Sequence, residues 1–296
     1  NMIKTKLIFD PVSGGGVGKE YVNDVVEKLR NNKVDVDLHT TKSIGDAKEV
    51  AKEIKDVEFD VVAVMSGDGT INEVINGLLP SEIPLVIIPS GVANVFANEV
   101  GIPINPLKAC EAIYKGNLYE FDLGKINNSY FLSLASIGFD SHVLKDTSPS
   151  LKRKYGKLSY VYTGLKTVFS YEPSPIYVKF EEEDNNKEKT CYFMVVGNVS
   201  IYGSPYVKMT PKASITDGLL DVCLFKKENP INYFRYFLGA MLRLHTQFPD
   251  VEYFQTKKFY VESEKPLLVE VDGDVWGELP TTFSILKNGL KILLPK

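Results

Sequence analysis

Apolar and polar positions along the first 120 residues follow two alternating patterns. Strand-like runs at 3–9, 34–38, 60–65 and 84–88 predict strands. Between them, apolar residues recur at helical spacing, as in Val22, Val25, Val26 and Leu29. That spacing predicts helices over 20–31, 46–55, 70–79, 92–99 and 106–115. Strand–helix alternation of this kind predicts an α/β domain with a parallel sheet covered by helices. Asp60-Val-Val-Ala-Val-Met65 and Pro84-Leu-Val-Ile-Ile88 read as central strands buried on both faces.

The pattern changes near Phe121. Segments 118–126, 129–137, 175–182, 190–197, 219–226, 257–262, 267–272 and 281–294 read as strands. Asn127-Asn128, Glu183-Asp-Asn-Asn186 and Asn288-Gly289 are turn signals among them. Helical spacing returns only at 155–170 and 230–245. The expectation is an α/β domain over 1–120 and a β-rich domain over 121–296, whose last strand is free to return to the first domain.

Composition narrows the function classes. The 296 residues are 44% hydrophobic and 24% charged, ordinary values for a globular protein. A net charge of −4 supplies no global basic field, which argues against nucleic acid as a partner. No apolar run has the length of a membrane span, and Lys4 and Lys6 lead straight into a strand rather than a signal peptide. Cys110, Cys191 and Cys223 are scattered in apolar contexts, with neither disulfide nor metal spacing. They read as reduced core thiols of a cytoplasmic protein. His39, His142 and His245 are far apart and read as structural.

Candidate chemistry begins at Asp10-Pro-Val-Ser-Gly-Gly-Gly-Val-Gly-Lys19, between the first strand and the first helix. A Walker loop needs Ser or Thr after Gly-Lys, and Glu20 stands there. A Rossmann loop needs a third glycine where Lys19 stands. Both templates fail, but a glycine-rich turn entering a helix still lets an oxyanion approach main-chain amides. The third strand runs into Ser66-Gly-Asp-Gly-Thr-Ile-Asn-Glu73. There Gly67 and Gly69 allow close approach, Asp68 offers a carboxylate, and Thr70 offers a hydroxyl. Asn72 and Glu73 follow in the first turn of the helix. Pro89-Ser-Gly-Val-Ala-Asn94 follows the next strand. Three small-residue loops after successive parallel strands fall on one sheet edge, where α/β proteins place their ligands, and together predict phosphate binding.

Ser66-Gly-Asp-Gly-Thr70 resembles the G-G-D-G-T signature of the diacylglycerol kinase catalytic domain superfamily. Asp10-Pro-Val-Ser-Gly14 resembles its N-P-x-S-G loop, and Pro89-Ser-Gly-Val-Ala-Asn94 its P-x-G-T-x-N loop. Ile137-Gly-Phe-Asp140, Gly197-Asn198, Pro211–Asp221 and Val271-Asp-Gly-Asp274 are similar to later family blocks, in order. The resemblance implies an α/β domain like that of NAD kinases and phosphofructokinases, then a β-sandwich, with ATP in the cleft between them. It implies transfer of the γ-phosphoryl group of ATP to a lipid hydroxyl, with Mg²⁺. Asp10, Pro11, Ser13, Gly14, Thr40 or Thr41, Ser66, Gly67, Asp68, Gly69, Thr70, Asn72 and Glu73 are implied around the nucleotide, with Gly91, Val92 and Asn94 from the third loop. Asp68 is expected to face the phosphates or their metal. Asp217, with main-chain oxygens near Ser214 and Leu219, resembles the family's structural magnesium site. Asp272-Gly-Asp274 stands at the family's D-G-E, so Asp272 or Asp274 is expected to supply the base.

The sequence departs from that pattern at several positions. Ser66 replaces a Gly, Val92 replaces a Thr, and Val95-Phe96 stand where an Asp is usual. Asp274 replaces a Glu, withdrawing the carboxylate by about one methylene, near 1 Å. Asp10 replaces an Asn and places a negative charge near phosphates unless Mg²⁺ or Lys19 offsets it.

A lipid kinase meets its substrate at a membrane surface, here expected at the inner face, as a peripheral protein open to forming a homodimer. Ser150–Lys157 gathers positive charge before an apolar stretch, and Ile231–Leu244 is aromatic-rich with Arg235 and Arg243. The plainer readings are a solvated helix start and a helix packed on the second domain. Two rival functions remain: an NAD-kinase-like enzyme, and a nucleotide- or lipid-binding regulator with little turnover.

Overall fold

The computed structural model describes residues 2–54, 59–139, 172–180 and 188–296. The helix expected over 155–170, the basic stretch 150–157, Asp140 and His142 lie outside them. The chain divides into two compact units: Asn1–Phe121 with Asn288–Lys296, and Asp122–Lys287.

In the first unit β1 (Ile3–Phe9), β2 (Val34–Thr40), β3 (Val61–Ser66) and β4 (Leu85–Pro89) form a parallel sheet in the order β2-β1-β3-β4. The end of the last strand, β18 (Thr281–Leu294), adds beside β4 with Ile292 opposite Leu85. Val62–Met65 and Leu85–Ile88 are almost wholly buried, because helices cover both faces of a parallel sheet. The helices are α1 (Gly18–Asn31), α2 (Asp46–Glu53), α3 (Asp68–Leu78), α4 (Val95–Val100), α5 (Pro106–Ala109) and α6 (Ala112–Lys115). The single helix expected over 106–115 is thus two short ones. At the junction, i→i+3 bonds from Glu111 to Lys108 and from Ile113 to Cys110 replace the α pattern. The Glu111 carboxylate there also accepts from Lys28 at 2.6 Å and Lys115 at 2.7 Å.

The second unit is a β-sandwich. β5 (Asn117–Ile126) enters it and pairs with β6 (Ser129–Phe131). One sheet joins the start of β18 to β15 (Lys258–Ser263), β8 (Ile176–Phe180) and β9 (Lys189–Cys191). The other has the order β14-β13-β10-β7-β16-β17. Its strands are β7 (Leu134–Ile137), β10 (Phe193–Gly197), β13 (Leu220–Phe225), β14 (Val251–Thr256), β16 (Leu268–Val271) and β17 (Asp274–Glu278). A small hairpin, β11 (Ile201–Tyr202) and β12 (Ser204–Lys208), stands apart from both.

Strand alternation divides the core. Met194, Val196, Val222 and Leu224 point between the sheets to meet Val178, Phe259 and Phe283. Phe193, Val195, Cys223 and Phe225 point outward beneath α7 (Pro230–Met241), which covers them with Tyr233, Tyr236 and Ala240. His245 is buried nearby, its Nε2 2.9 Å from the Met209 carbonyl, and burial holds its pKa below the ordinary imidazole value. The three cysteines are buried free thiols.

Candidate active site

The three small-residue loops meet at the C-terminal end of the first unit's sheet. The first starts where the Asp10 amide donates to the Met65 carbonyl of β3 at 3.2 Å. Gly14, Gly15 and Gly16 follow with φ of 59°, 75° and 91°, a left-handed run that side-chain-bearing residues resist. A Cβ on Gly14 would strike the Ser90 carbonyl of the third loop. The Ser90 amide donates to the Ser66 carbonyl at 2.9 Å, tying the third loop to the second. A Cβ on Gly67 would lie 2.9 Å from Ser13 Oγ and 3.1 Å from the Gly91 Cα, so all three loops touch through bare backbone. Two further bonds draw in the loop after β2: the Thr41 amide donates to the Phe9 carbonyl, and the Gly45 amide to Glu73 Oε1, each at 2.9 Å.

Several polar side chains fasten these loops to one another. Asp10 Oδ1 accepts the Val12 amide at 2.9 Å. Asp10 Oδ2 accepts the Thr70 hydroxyl at 3.0 Å and the Ser66 hydroxyl at 3.2 Å. The two departures, Asp10 and Ser66, are therefore partners. Asp68 Oδ1 accepts the Val95 amide at 2.9 Å, joining the start of α3 to the start of α4. Asn94 sits at φ 48°, and its side-chain amide closes on Gly91, accepting from the nitrogen and donating to the oxygen at 2.9 Å each. Val92, in the same loop, is 46% exposed. A hollow of about 290 Å³ opens beside these loops, walled by Val17 and Tyr21 of the α1 end, by Ser90, Gly91 and Asn94, and by Asn105. The buried Ser90 hydroxyl at its wall has no hydrogen-bond partner among the described residues.

The second unit carries two groups of carboxylates. At the first, the Asp122 amide donates to the Ile215 carbonyl at 2.7 Å, and Asp122 Oδ2 accepts the Gly218 amide at 2.6 Å. That pins the turn 214–219, where Asp217 is exposed and its Oδ1 accepts the Leu219 amide at 2.9 Å. Ser214 and Thr216 hydroxyls are 3.3 Å apart in the same turn. Asp221 is buried behind it, bonded by the Tyr253 hydroxyl and by Gln255. Burial holds the Asp221 carboxyl above the ordinary carboxylate value and the Asp217 charge adds to this, while the Tyr253 and Gln255 bonds pull the other way. Ser214, Asp217 and the Leu219 main chain offer hard oxygen donors beside an exposed carboxylate, a set that suits a magnesium ion keeping part of its water shell. No cluster of three or more His, Cys, Asp or Glu side chains occurs among the described residues, so such an ion would depend on main-chain and hydroxyl oxygens.

At the second group the two candidate bases separate. Asp272 is buried, and its oxygens accept the amides of Leu132 at 2.7 Å, Ser133 at 2.8 Å and Leu134 at 3.1 Å. This carboxylate is an anchor, and it explains why the strand expected over 129–137 breaks at 132–133. Asn198 locks the same break, donating to the carbonyls of Asp122 and Leu132 at 2.9 Å each. Asp274, two residues on, is exposed. Glu270 is buried, accepting the Ser136 hydroxyl at 2.7 Å and the Gly273 amide at 2.5 Å.

Sequence reasoning missed Asp122, Asp221 and Glu270. Their one signal was a carboxylate inside an apolar strand run, which demands a partner but does not name it.

Residues 4–126 match the diacylglycerol kinase catalytic domain. Residues 133–294 match the YegS C-terminal NAD kinase beta sandwich-like domain. The diacylglycerol kinase of Bacillus subtilis (strain 168) is 30% identical over 298 residues, covering 100% of this chain and 97% of its own. That of Staphylococcus saprophyticus is 29% identical over 294 residues, with 99% and 95% covered. A crystal structure from Bacillus anthracis, provisionally described as a diacylglycerol kinase, is 26% identical, aligns 98% of this chain with 95% of that one, and gives a TM-score of 0.81. Two-domain matches in sequence and fold, over essentially the whole length, place this chain in the diacylglycerol kinase family.

Proposed function

We propose that the chain is an ATP-dependent lipid kinase that transfers the γ-phosphoryl group to a lipid hydroxyl such as that of diacylglycerol. The observation carrying this reading is the meeting of three loops through Gly14, Gly67 and Gly91 at one sheet edge, with Asp10 and Asp68 among them. Phosphoryl transfer asks a protein mainly for positioning and charge stabilisation, and amides at glycine loops and helix starts suit phosphate oxygens.

In this reading Ser13, Gly14, Thr40 or Thr41, and Ser66–Thr70 surround the nucleotide, with Gly91 and Val92 from the third loop. Asp10, Glu73 and Asn94 act as positioning residues, since their side chains fasten the loops to one another. Asp68 holds α4 with one oxygen and works at the phosphates. Asp274 takes the proton of the lipid hydroxyl as its oxygen bonds to the γ-phosphorus; the bond from that phosphorus to the bridging oxygen breaks and ADP leaves. Asp272 fixes the turn that presents Asp274. Mg²⁺ bound with ATP would neutralise phosphate charge. Ser214, Asp217 and Leu219 would hold a second, structural magnesium. The protein works at the cytoplasmic face of the membrane, where donor and lipid meet.

The test is transfer of labelled γ-phosphate from ATP, with Mg²⁺, to lipids in mixed micelles: diacylglycerol, monoacylglycerol, phosphatidylglycerol, ceramide, sphingosine and undecaprenol. A labelled lipid is the expected result and names the acceptor. Bound ATP with no labelled lipid anywhere would contradict the kinase reading and favour a regulator.

A further inference from the structure

The helix α7 has two apolar faces, and the fold uses one. Tyr233, Tyr236 and Ala240 enter the core beneath it. Phe234, Phe237, Leu238 and Met241 lie at three- and four-residue spacing on its other side and are 59%, 39%, 42% and 45% exposed. Leu242 and Leu244 extend that face at 68% and 44%, and Tyr206 of β12, against which α7 packs, is 79% exposed. A surface helix ordinarily turns a polar face outward, so a contiguous run of exposed Phe, Leu and Met marks an interaction surface.

The charges around it indicate the occupant. Residues 229–249 contain no Asp or Glu. Lys226 and Lys227 are exposed where the chain enters α7, and Arg243 is exposed where it leaves. Lys226 pairs with Glu252, and Glu228 bonds the Tyr192 phenol. Arg235 turns back against the fold, paired with Asp250 and stacked on Tyr236 and Phe248. Apolar side chains with no carboxylate over 229–249, with Lys227 and Arg243 at their ends and Glu228 turned to Tyr192, complement an anionic bilayer, where the apolar groups enter the acyl boundary and the cations meet headgroups. A second copy of the chain fits less well: a two-fold contact sets the same patch against itself, with Lys227 and Arg243 on both sides and Glu228 at its edge already bonded to the Tyr192 phenol.

We propose that the outer face of α7 docks the protein on an anionic lipid bilayer. This deepens the lipid-kinase reading and rests on it for purpose, but vesicle binding is measured without turnover. The experiment is flotation of the full chain with phosphatidylcholine vesicles, with and without phosphatidylglycerol. The wild type is expected to float with anionic vesicles. A Phe234→Ser/Leu238→Ser variant should bind them about tenfold more weakly, and Lys227→Gln/Arg243→Gln should lose most of the preference for anionic over neutral vesicles. Circular dichroism checks that each variant folds. If the serine variant does not, Leu238→Trp replaces it, with a blue shift of its emission expected on anionic vesicles. A wild type that stays unbound, a serine variant that binds equally, or a Leu238→Trp emission that does not move would overturn the proposal. So would a variant that only converts a dimer to a monomer, which would assign the face to a second copy. Loss of vesicle binding in the variant, beside a wild type that phosphorylates no lipid, would sustain the docking face and defeat the kinase reading instead.

Discussion

Asp10, Asp272 and Asp274 are the same side chain in three settings. Asp10 accepts one amide and two hydroxyls, so it shapes the first loop against the second rather than meeting phosphates bare. From sequence it reads only as a negative charge near an anion; its partners, Ser66 and Thr70, lie 56 and 60 residues away. Asp272 is spent on three main-chain amides 138 to 140 residues away, while Asp274 is exposed. Stability and activity should therefore separate. Asp272→Ala leaves buried amides without an acceptor and should destabilise the protein by roughly 3 kcal/mol or more, measured by denaturant unfolding. Asp274→Asn should leave stability within about 0.5 kcal/mol, as for most surface changes, and lower kcat by about a hundredfold. Equal loss of stability in both would make Asp274 another anchor.

At the scale of elements, the glycine loops and central strands were readable because their causes are local. A left-handed run needs Gly14–Gly16, and a strand buried on both faces must be apolar throughout. Elements with non-local causes were not readable. β14, Val251-Glu-Tyr-Phe-Gln-Thr256, and β17, Asp274-Val-Trp-Gly-Glu278, flank the second sheet, the first largely half-exposed and the second mostly exposed, so their polar content hid them. The turn 214–219 was recognised by its Asp-Gly, but Asp122, which accepts its Gly218 amide, and Asp221, whose partner Gln255 also reaches Asp217, were not. This turn also carries a thermal prediction. Burial is what chiefly raises Asp221, and Mg²⁺ at Asp217 would offset the smaller repulsion that adds to it; by ligand linkage, millimolar MgCl₂ should raise Tm by roughly 2–5 °C. Asp217→Ala should abolish the increment. An equal increment in that variant would place the ion elsewhere.

At the scale of the whole molecule, an α/β domain followed by β-rich chain was legible from the change of periodicity near Phe121, and the sandwich only from the family resemblance; the chain's compact units are Asn1–Phe121 with Asn288–Lys296, and Asp122–Lys287. The sandwich orders α7 twice over: its inner face covers the second sheet, and its outer face is left apolar. The sequence window 231–244 could not separate the two faces, because both are apolar and only burial distinguishes them. Among the described residues no helix is long and apolar enough to cross a membrane.

The most direct measurement compares phosphoryl transfer from ATP to diacylglycerol by the wild type and by Asp68→Asn, with ATP binding followed in parallel. The asparagine keeps an oxygen for the Val95 amide, so α4 stays in place. The account predicts labelled phosphatidic acid from the wild type, and a kcat lower by about two to three orders of magnitude in the variant, at nearly unchanged ATP affinity. Equal turnover by both proteins would contradict the placement of the chemistry at these three loops.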